Sequence, residues 1–224
     1  MSERIFVRGM VLVSQAAGET DKRLTIFTIE QGKVTAFARG ARRATSSLAA
    51  ATEPFSFGTF SLVAGRNSYY LTDAQIDNYF EELRTDLNAA CYGMFFLELA
   101  DYYTRENNED KMLLKLLYQS LRALSAKSID KKLVRIIYEL KALMIEGEYP
   151  GLDMDEKELD PATVYSVRYI ESSSVEKLYT FTVSEIVLEE LDRFALRLRR
   201  RYIERPLKSL KMLQTVEAEE ESMV

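Results

Sequence analysis

The hydrophobic period of this chain changes once, near Phe80, and that change limits the folds open to it. Before it, short β-branched and aromatic runs alternate with turn residues. Residues 5–13 are β-rich and carry Gly9, where a bulge or a close backbone approach would sit. Residues 24–29 and 34–39 flank the turn Glu30-Gln31-Gly32-Lys33, as hairpin partners do. Residues 55–63 and 69–72 flank a second turn, Ala64-Gly65-Arg66-Asn67-Ser68. Five short strands in about eighty residues suit a small closed barrel. The OB-fold is the commonest of that size, and an SH3-like barrel meets the same pattern.

After Phe80 the spacing becomes helical. Leu87, Cys91, Phe95, Leu99 and Tyr102 form one stripe; Leu113, Leu116, Leu117, Leu121 and Leu124 form another. Leu133, Ile136, Ile137, Leu140 and Met144 form a third, in a segment that stops at Gly147 with Pro150 beyond. Short polar stretches separate the three, so an α-helical bundle is expected. Residues 151–161 read as an acidic loop. Residues 164–170 and 177–183 are β-rich and are expected to pair as a hairpin around Glu171-Ser172-Ser173-Ser174. Thr182-Val183-Ser184-Glu185 matches a capping box with Thr182 as N-cap, opening a helix that buries Val187, Leu191, Phe194, Leu198 and Tyr202. Pro206 breaks that helix before a short closing segment, residues 207–213. The expected class is α+β: a barrel domain over residues 1–80 and a helical domain over 81–224, the latter carrying the loop and hairpin at 151–183.

The chain contains no histidine and one cysteine, Cys91. Histidine general bases, nucleophile–histidine pairs and imidazole zinc sites are thereby excluded. One thiol permits no intramolecular disulfide and no thiolate-rich metal site. Cys91 lies in an apolar run and is read as a small core residue. Asp153-Met154-Asp155-Glu156-Lys157-Glu158 superficially resembles a carboxylate metal loop but lacks the central glycine and closing glutamate of a calcium loop. It is read as acidic surface, and no cofactor or metal is expected. Nor does the chain hold a Walker A loop, a GxGxxG or a nucleophile elbow. The amino terminus shows no signal-peptide pattern and no apolar run would span a bilayer, so a cytoplasmic protein is expected, with no membrane partner.

The net charge of −5 hides two basic clusters. Ala38-Arg39-Gly40-Ala41-Arg42-Arg43 stands where the third strand leaves the barrel, and Lys33 and Arg66 on nearby hairpin turns extend it. Arginine suits nucleic acid because its planar fork pairs with phosphate and stacks on bases. A solvated basic loop explains the same residues. The second cluster runs through Arg193, Arg197, Arg199, Arg200, Arg201, Arg205, Lys208 and Lys211. Arg193, Arg197, Arg200 and Arg201 fall on one side of a helix, opposite the apolar stripe. Tyr69, Tyr70, Tyr79 and Phe80 are candidates for stacking bases.

Gly9-Met10-Val11-Leu12, Gly18-Glu19-Thr20-Asp21, Leu24-Thr25-Ile26-Phe27-Thr28, Gly32-Lys33, Arg39-Gly40-Ala41-Arg42-Arg43, Leu48 and Glu53-Pro54-Phe55 resemble, in order and spacing, the amino-terminal half of the RecO family. Tyr138-Glu139-Leu140-Lys141 followed by Gly147-Glu148-Tyr149-Pro150 is similar to that family's helix and Gly-Tyr-x-Pro-like turn. Pro206-Leu207-Lys208-Ser209-Leu210 is similar to its closing segment. The resemblance implies an amino-terminal OB-fold and a carboxy-terminal helical domain. It implies a nucleoid-associated, non-enzymatic recombination mediator that binds single- and double-stranded DNA, anneals complementary strands and cooperates with RecR in loading RecA. DNA contacts fall to Lys33, Arg39, Arg42, Arg43, Arg66, Arg193, Arg197, Arg200, Arg201, Lys208 and Lys211. The resemblance further implies a site for the acidic, phenylalanine-ended tail of single-stranded-DNA-binding protein (SSB), for which Arg135 is the candidate cation. Many relatives hold a structural zinc with four cysteines after the Gly-Tyr-x-Pro turn. This chain has none there, so a degenerate, metal-free module is expected. Two other readings stay open: a protein-interaction adaptor with incidental DNA affinity, and a metal nuclease using Asp153 and Asp155.

Overall fold

The computed structural model describes residues 3–66, 68–126, 129–152 and 159–222. The chain divides into two compact units, Met1–Glu81 with Leu97–Leu114, and Glu82–Phe96 with Lys115–Val224.

The first unit is built on five strands, β1 (Arg4–Ala17), β2 (Asp21–Thr28), β3 (Gly32–Ala38), β4 (Phe57–Ala64) and β5 (Tyr69–Asn78), closed in the order β1-β2-β3-β5-β4. The pairings are antiparallel except β3 with β5, where Ala36 and Phe37 run parallel to Tyr69 and Tyr70. That parallel closure is the five-stranded Greek-key barrel of an OB-fold, and it separates this chain from the SH3-like alternative. Period-two alternation sends Val7, Val11, Leu24, Ile26, Val34, Ala36, Phe60, Leu62 and Leu71 into the barrel core.

Gly9 lies opposite Gly58 between β1 and β4. A Cβ on Gly9 would stand 2.1 Å from Phe27 O, and one on Gly58 would stand 2.1 Å from Gln75 O. The two glycines let β1 and β4 pack closely against β2 and β5 at one corner. At the β2–β3 turn, Gly32 takes φ +62° and a Cβ there would stand 2.4 Å from Arg105 O. Lys33 N–H donates to Arg105 O and Asn107 N–H donates to Gln31 O, so residues 105–107 clasp the turn. The compact unit that holds the barrel thus also takes in residues 97–114.

The helices are α1 (Glu81–Thr85), α2 (Leu87–Tyr103), α3 (Lys111–Ser125), α4 (Lys131–Ile145), α5 (Pro161–Ser172), α6 (Glu185–Tyr202) and α7 (Ser209–Ser222). In the second unit α4 is central and buried from Leu133 to Leu143 on every side, its N-terminus capped by Asp130, which accepts from Leu133 N–H. Phe96 stacks on Tyr138 at 4.3 Å between ring centroids, and the Tyr138 hydroxyl donates to Phe96 O. Lys141 reaches the end of α5 and donates to the carbonyls of Ile170, Glu171 and Ser173, each at 2.9 Å. A cation there satisfies carbonyls left open by the helix end and sits favourably against its dipole.

The expected β-hairpin over residues 164–183 is absent. Residues 161–172 form α5, and Val175–Lys177 is a turn of 3-10 helix. Val164, Val167 and Ile170 are buried three residues apart, a helical stripe whose packing overrides β propensity. Asp160 caps α5 by accepting from Ala162 N–H, and Pro161 holds the first helical position. The cap of α6 is Ser184 rather than Thr182. The closing segment is longer than residues 207–213, since α7 continues to Ser222. The acidic residues 153–158, with Asp153 and Asp155, lie outside the described residues.

Candidate functional site

Outward side chains of the barrel form one continuous row across all five strands. Arg23 pairs with Phe37, Phe37 with Tyr70, Tyr70 with Val63, and Val63 with Arg4. Cross-strand partners project to the same face, and the residues beside them (Leu24, Ala36, Leu71, Leu62) point into the core. The row therefore presents two aromatic rings and a valine between two exposed arginines, with no acid among them. Arg39 adds a third cation: its guanidinium lies 4.4 Å from the centroid of the Tyr70 ring. Arg23, Phe37 and Arg4 were not singled out from the sequence, where they are scattered; only strand register brings them together.

The arginine loop after β3 is tied to the β1–β2 turn. Gly40, at φ +67°, donates its N–H to Asp21 Oδ1 at 2.8 Å. Gly40 N–H, the Thr20 hydroxyl, and then the charges of Arg39 and Arg43 hold the Asp21 carboxyl below the usual range. Arg42 donates to Gly18 O and Glu19 O at 2.8 and 3.0 Å, so part of its hydrogen-bonding capacity staples the turn. Arg39, Arg42 and Arg43 are all exposed. Lys33 and Arg66 meet at a cavity of about 240 Å³, lined also by Tyr69, Ser68, Glu106 and Asn107. Lys33 is largely committed inward, in an ion pair with Asp101 at 2.8 Å.

On α6, Arg193, Arg197, Arg200 and Arg201 are exposed on one face, and Lys208 and Lys211 are exposed beyond the helix break. Arg199 turns inward instead and donates to Glu139 Oε1 at 2.8 Å. Arg135 is 2% exposed. Its Nε donates to Glu217, its Nη1 to Glu139 and its Nη2 to Asp192, at 2.7–3.0 Å. Burial opposes its charge, but the three carboxylates outweigh burial and raise its pKa further.

The zinc module of the resembling family does not fit this chain, because Cys91 is its single cysteine and lies far from residues 151–183. Among the described residues no group of three or more histidine, cysteine, aspartate or glutamate side chains could hold a metal. No helix among them is long and apolar enough to cross a membrane.

Family models place this chain. The model "Recombination protein O N terminal" matches residues 1–80, and "Recombination protein O C terminal" matches residues 84–156 and 153–211. Similar curated proteins are each named DNA repair protein RecO. That of Alkaliphilus metalliredigens is 35% identical over 148 residues, covering 66% of this chain and 60% of the relative. That of Clostridium perfringens is 28% identical over 237 aligned positions, covering 93% of this chain and 96% of the relative. That of Bacillus cereus strain AH187 is 33% identical over 147 residues, covering 66% and 59%. The barrel and the helices after it match the two halves of one family in the same order, and the chain belongs to the RecO family of DNA repair proteins.

Proposed function

We propose that this chain is a non-enzymatic recombination mediator. It binds single- and double-stranded DNA, anneals complementary strands and helps load recombinase onto SSB-coated DNA. Residues 1–80 act as the DNA-binding domain and residues 81–224 as the helical, partner-binding domain. The observation that carries the reading is the barrel row Arg23–Phe37–Tyr70–Val63–Arg4 with Arg39 stacked on Tyr70. Aromatic faces accept successive bases whatever their sequence, and flanking guanidiniums track the backbone. Arg42, Arg43 and Arg66 extend the phosphate track, whereas Lys33 acts by supporting the turn. The α6 face and Lys208 and Lys211 supply the second basic surface. Two phosphate backbones neutralised by one protein can test pairing without ATP, because annealing is downhill once charge repulsion is lowered.

RecR, the SSB tail and, through them, RecA are the proposed partners, and the cytoplasmic nucleoid is the proposed location. Fluorescence anisotropy of a labelled single-stranded oligonucleotide across a salt series tests the reading. Submicromolar binding with a steep salt slope that flattens in Arg39→Ala/Arg42→Ala/Arg43→Ala supports it. No binding at low salt removes it and leaves the protein-interaction adaptor.

A further inference from the structure

The parallel seam that closes the barrel is short. β3 and β5 pair only through Ala36–Tyr69 and Phe37–Tyr70, and beside that seam the cavity of about 240 Å³ lies between β3, the β4–β5 turn and residues 106–107. Its lining joins the apolar surface of Val34, Ala64 and Tyr69 to the hydroxyls of Thr35 and Ser68 and the amides of Gln31 and Asn107. Arg66 and Glu106 are its exposed charged members, since Lys33 is held by Asp101. Backbone bonds fix the lining in place: Asn107 N–H donates to Gln31 O at 2.9 Å, and Gly65 N–H donates to Ser68 O at 2.7 Å. The cavity is therefore formed before any ligand enters.

The cavity adjoins the stacking row on two sides. Strand alternation puts Thr35 on the same outward face as Phe37, about 7 Å along β3. Gly65, which lines the cavity, lies against the Tyr70 ring: a Cβ there would stand 2.8 Å from a ring carbon. Size and chemistry then limit what can enter. The volume is below the roughly 300–1,000 Å³ of pockets that enclose drug-sized molecules, and it suits a single nucleobase. Apolar surface beside a tyrosine ring accepts the face of a base, and amides and hydroxyls donate to and accept from its edge. A base inside a duplex is stacked and its edge is engaged by its partner, whereas an unpaired base loses least on leaving its stack.

We propose that this cavity is a subsite for one unstacked base of single-stranded DNA, with Arg66 on the adjoining phosphate, and that it distinguishes unpaired strands from paired ones. The inference rests on the mediator reading for DNA as the ligand and adds the place where strand state is sensed. A duplex meets the exposed arginines through its phosphates but leaves the cavity empty. Annealing therefore withdraws the base from its subsite. The paired product is held by charge alone and leaves more readily than either separate strand.

The test irradiates the full chain with an oligothymidylate carrying iodouracil, a photoprobe that joins to neighbouring aromatic rings, and locates the adducts by tandem mass spectrometry. With the single strand, adducts are expected on Tyr69 as well as on Tyr70. When the probe strand is annealed to oligoadenylate, the Tyr69 adduct should fall by about tenfold while the protein stays bound. Thr35→Met fills the cavity with a longer, flexible chain. It should remove the Tyr69 adduct and weaken single-strand affinity by about fivefold or more. The Tyr70 adduct and the affinity for duplex should persist, which shows that the variant is folded. Adducts confined to Phe37 and Tyr70, a Tyr69 adduct of equal yield in the duplex, or a Thr35→Met protein that binds single strands unchanged would each overturn the proposal and leave the mediator reading standing. Suppression of the Tyr69 adduct by equimolar thymidine monophosphate would overturn it in favour of a free-nucleotide site. Absence of any binding at low salt would overturn both readings.

Discussion

The Arg39 guanidinium lies over the ring of Tyr70, 4.4 Å from its centroid, on the strand pair that closes the barrel in parallel. Tyr70 sits directly across from Phe37, so the cation caps one end of a two-ring surface. An arginine just after β3 is thereby held near the place where a base would stack, before any DNA arrives. Ordering it beforehand reduces the entropy lost on binding.

Stacking and charge should separate experimentally at this surface. Tyr70→Ala removes a ring and no charge, and stacking is worth about 1–3 kcal/mol per base. Its affinity for a single-stranded oligonucleotide should fall by roughly five- to 150-fold with the salt slope unchanged. Each arginine that loses a phosphate contact should instead lower the slope by roughly 0.7. Anisotropy titrations at four or five salt concentrations distinguish the two; a changed slope in Tyr70→Ala would contradict the stacking role.

Gly9→Ala should destabilise the barrel. The new Cβ would stand 2.1 Å from Phe27 O and 2.8 Å from Thr28 Cα, both backbone atoms that cannot swing aside. Because Gly9 faces Gly58, which is equally crowded by Gln75 O, the β1–β4 corner cannot open on one side without moving the other. Overpacking of this kind costs about 1–3 kcal/mol. The urea midpoint should fall with little change in the denaturant slope.

The barrel was legible because each strand buries alternate residues, and a period of two shows in a single sequence. Leu24 and Ile26, or Val34 and Ala36, announce it unaided. The spacing in α3 and α4 was equally plain. Residues 164–170 misled because valine, tyrosine and isoleucine favour strands locally, while the stripe Val164, Val167, Ile170 acquires its meaning only once there is a core to pack against. Asp160-Pro161 was the signal that could have corrected it. The candidate site was half legible. The arginines after β3 stand out as a string, but Arg23, Phe37, Tyr70, Val63 and Arg4 become neighbours through register alone. Lys33 and Arg135 read as available cations, but Asp101 pairs with Lys33 from far along the chain, as Asp192 and Glu217 do with Arg135; the third Arg135 partner, Glu139, is one helical turn away.

Stability should fall in acid through the same cluster. Burial raises the Asp192 pKa, but Arg135 and Lys132 outweigh it and hold the carboxyl below its ordinary value of 3.8. With the folded pKa depressed, the unfolded chain binds the proton first. The contribution is therefore complete above the ordinary carboxylate pKa and is lost as pH falls through the folded value. Glu176, lowered to about 2 chiefly by its hydrogen bond with Lys115, acts in the same direction. Urea midpoints should hold level from pH 7 to about 5 and decline below about 4. Asp192→Asn should be less stable at pH 7 and lose less on acidification; a decline as steep as that of the unsubstituted protein would rule out Asp192 as a contributor.

Glu139 should be the most sensitive member of the buried cluster. Its Oε1 accepts from Arg135 Nη1 at 3.0 Å and from Arg199 Nη1 at 2.8 Å, so one oxygen serves two guanidiniums. Its Oε2 is buried and has no hydrogen-bond partner among the described residues. Glu139→Gln can keep the shared acceptor only by placing its NH2 where Oε2 now lies. It also withdraws the charge that balances two arginines in a low-dielectric interior. Removing one partner of such a group costs about 3–5 kcal/mol. Arg199→Met should cost less, because Glu139 keeps Arg135 and the methionine can still pack near Phe95, against which the guanidinium now lies 5.8 Å from the ring centroid. The double variant should be more stable than the two separate losses predict, by about 0.5–3 kcal/mol of coupling. Urea unfolding of the four proteins closes the cycle. Additive losses would mean that Glu139 and Arg199 act independently, against the shared oxygen seen here.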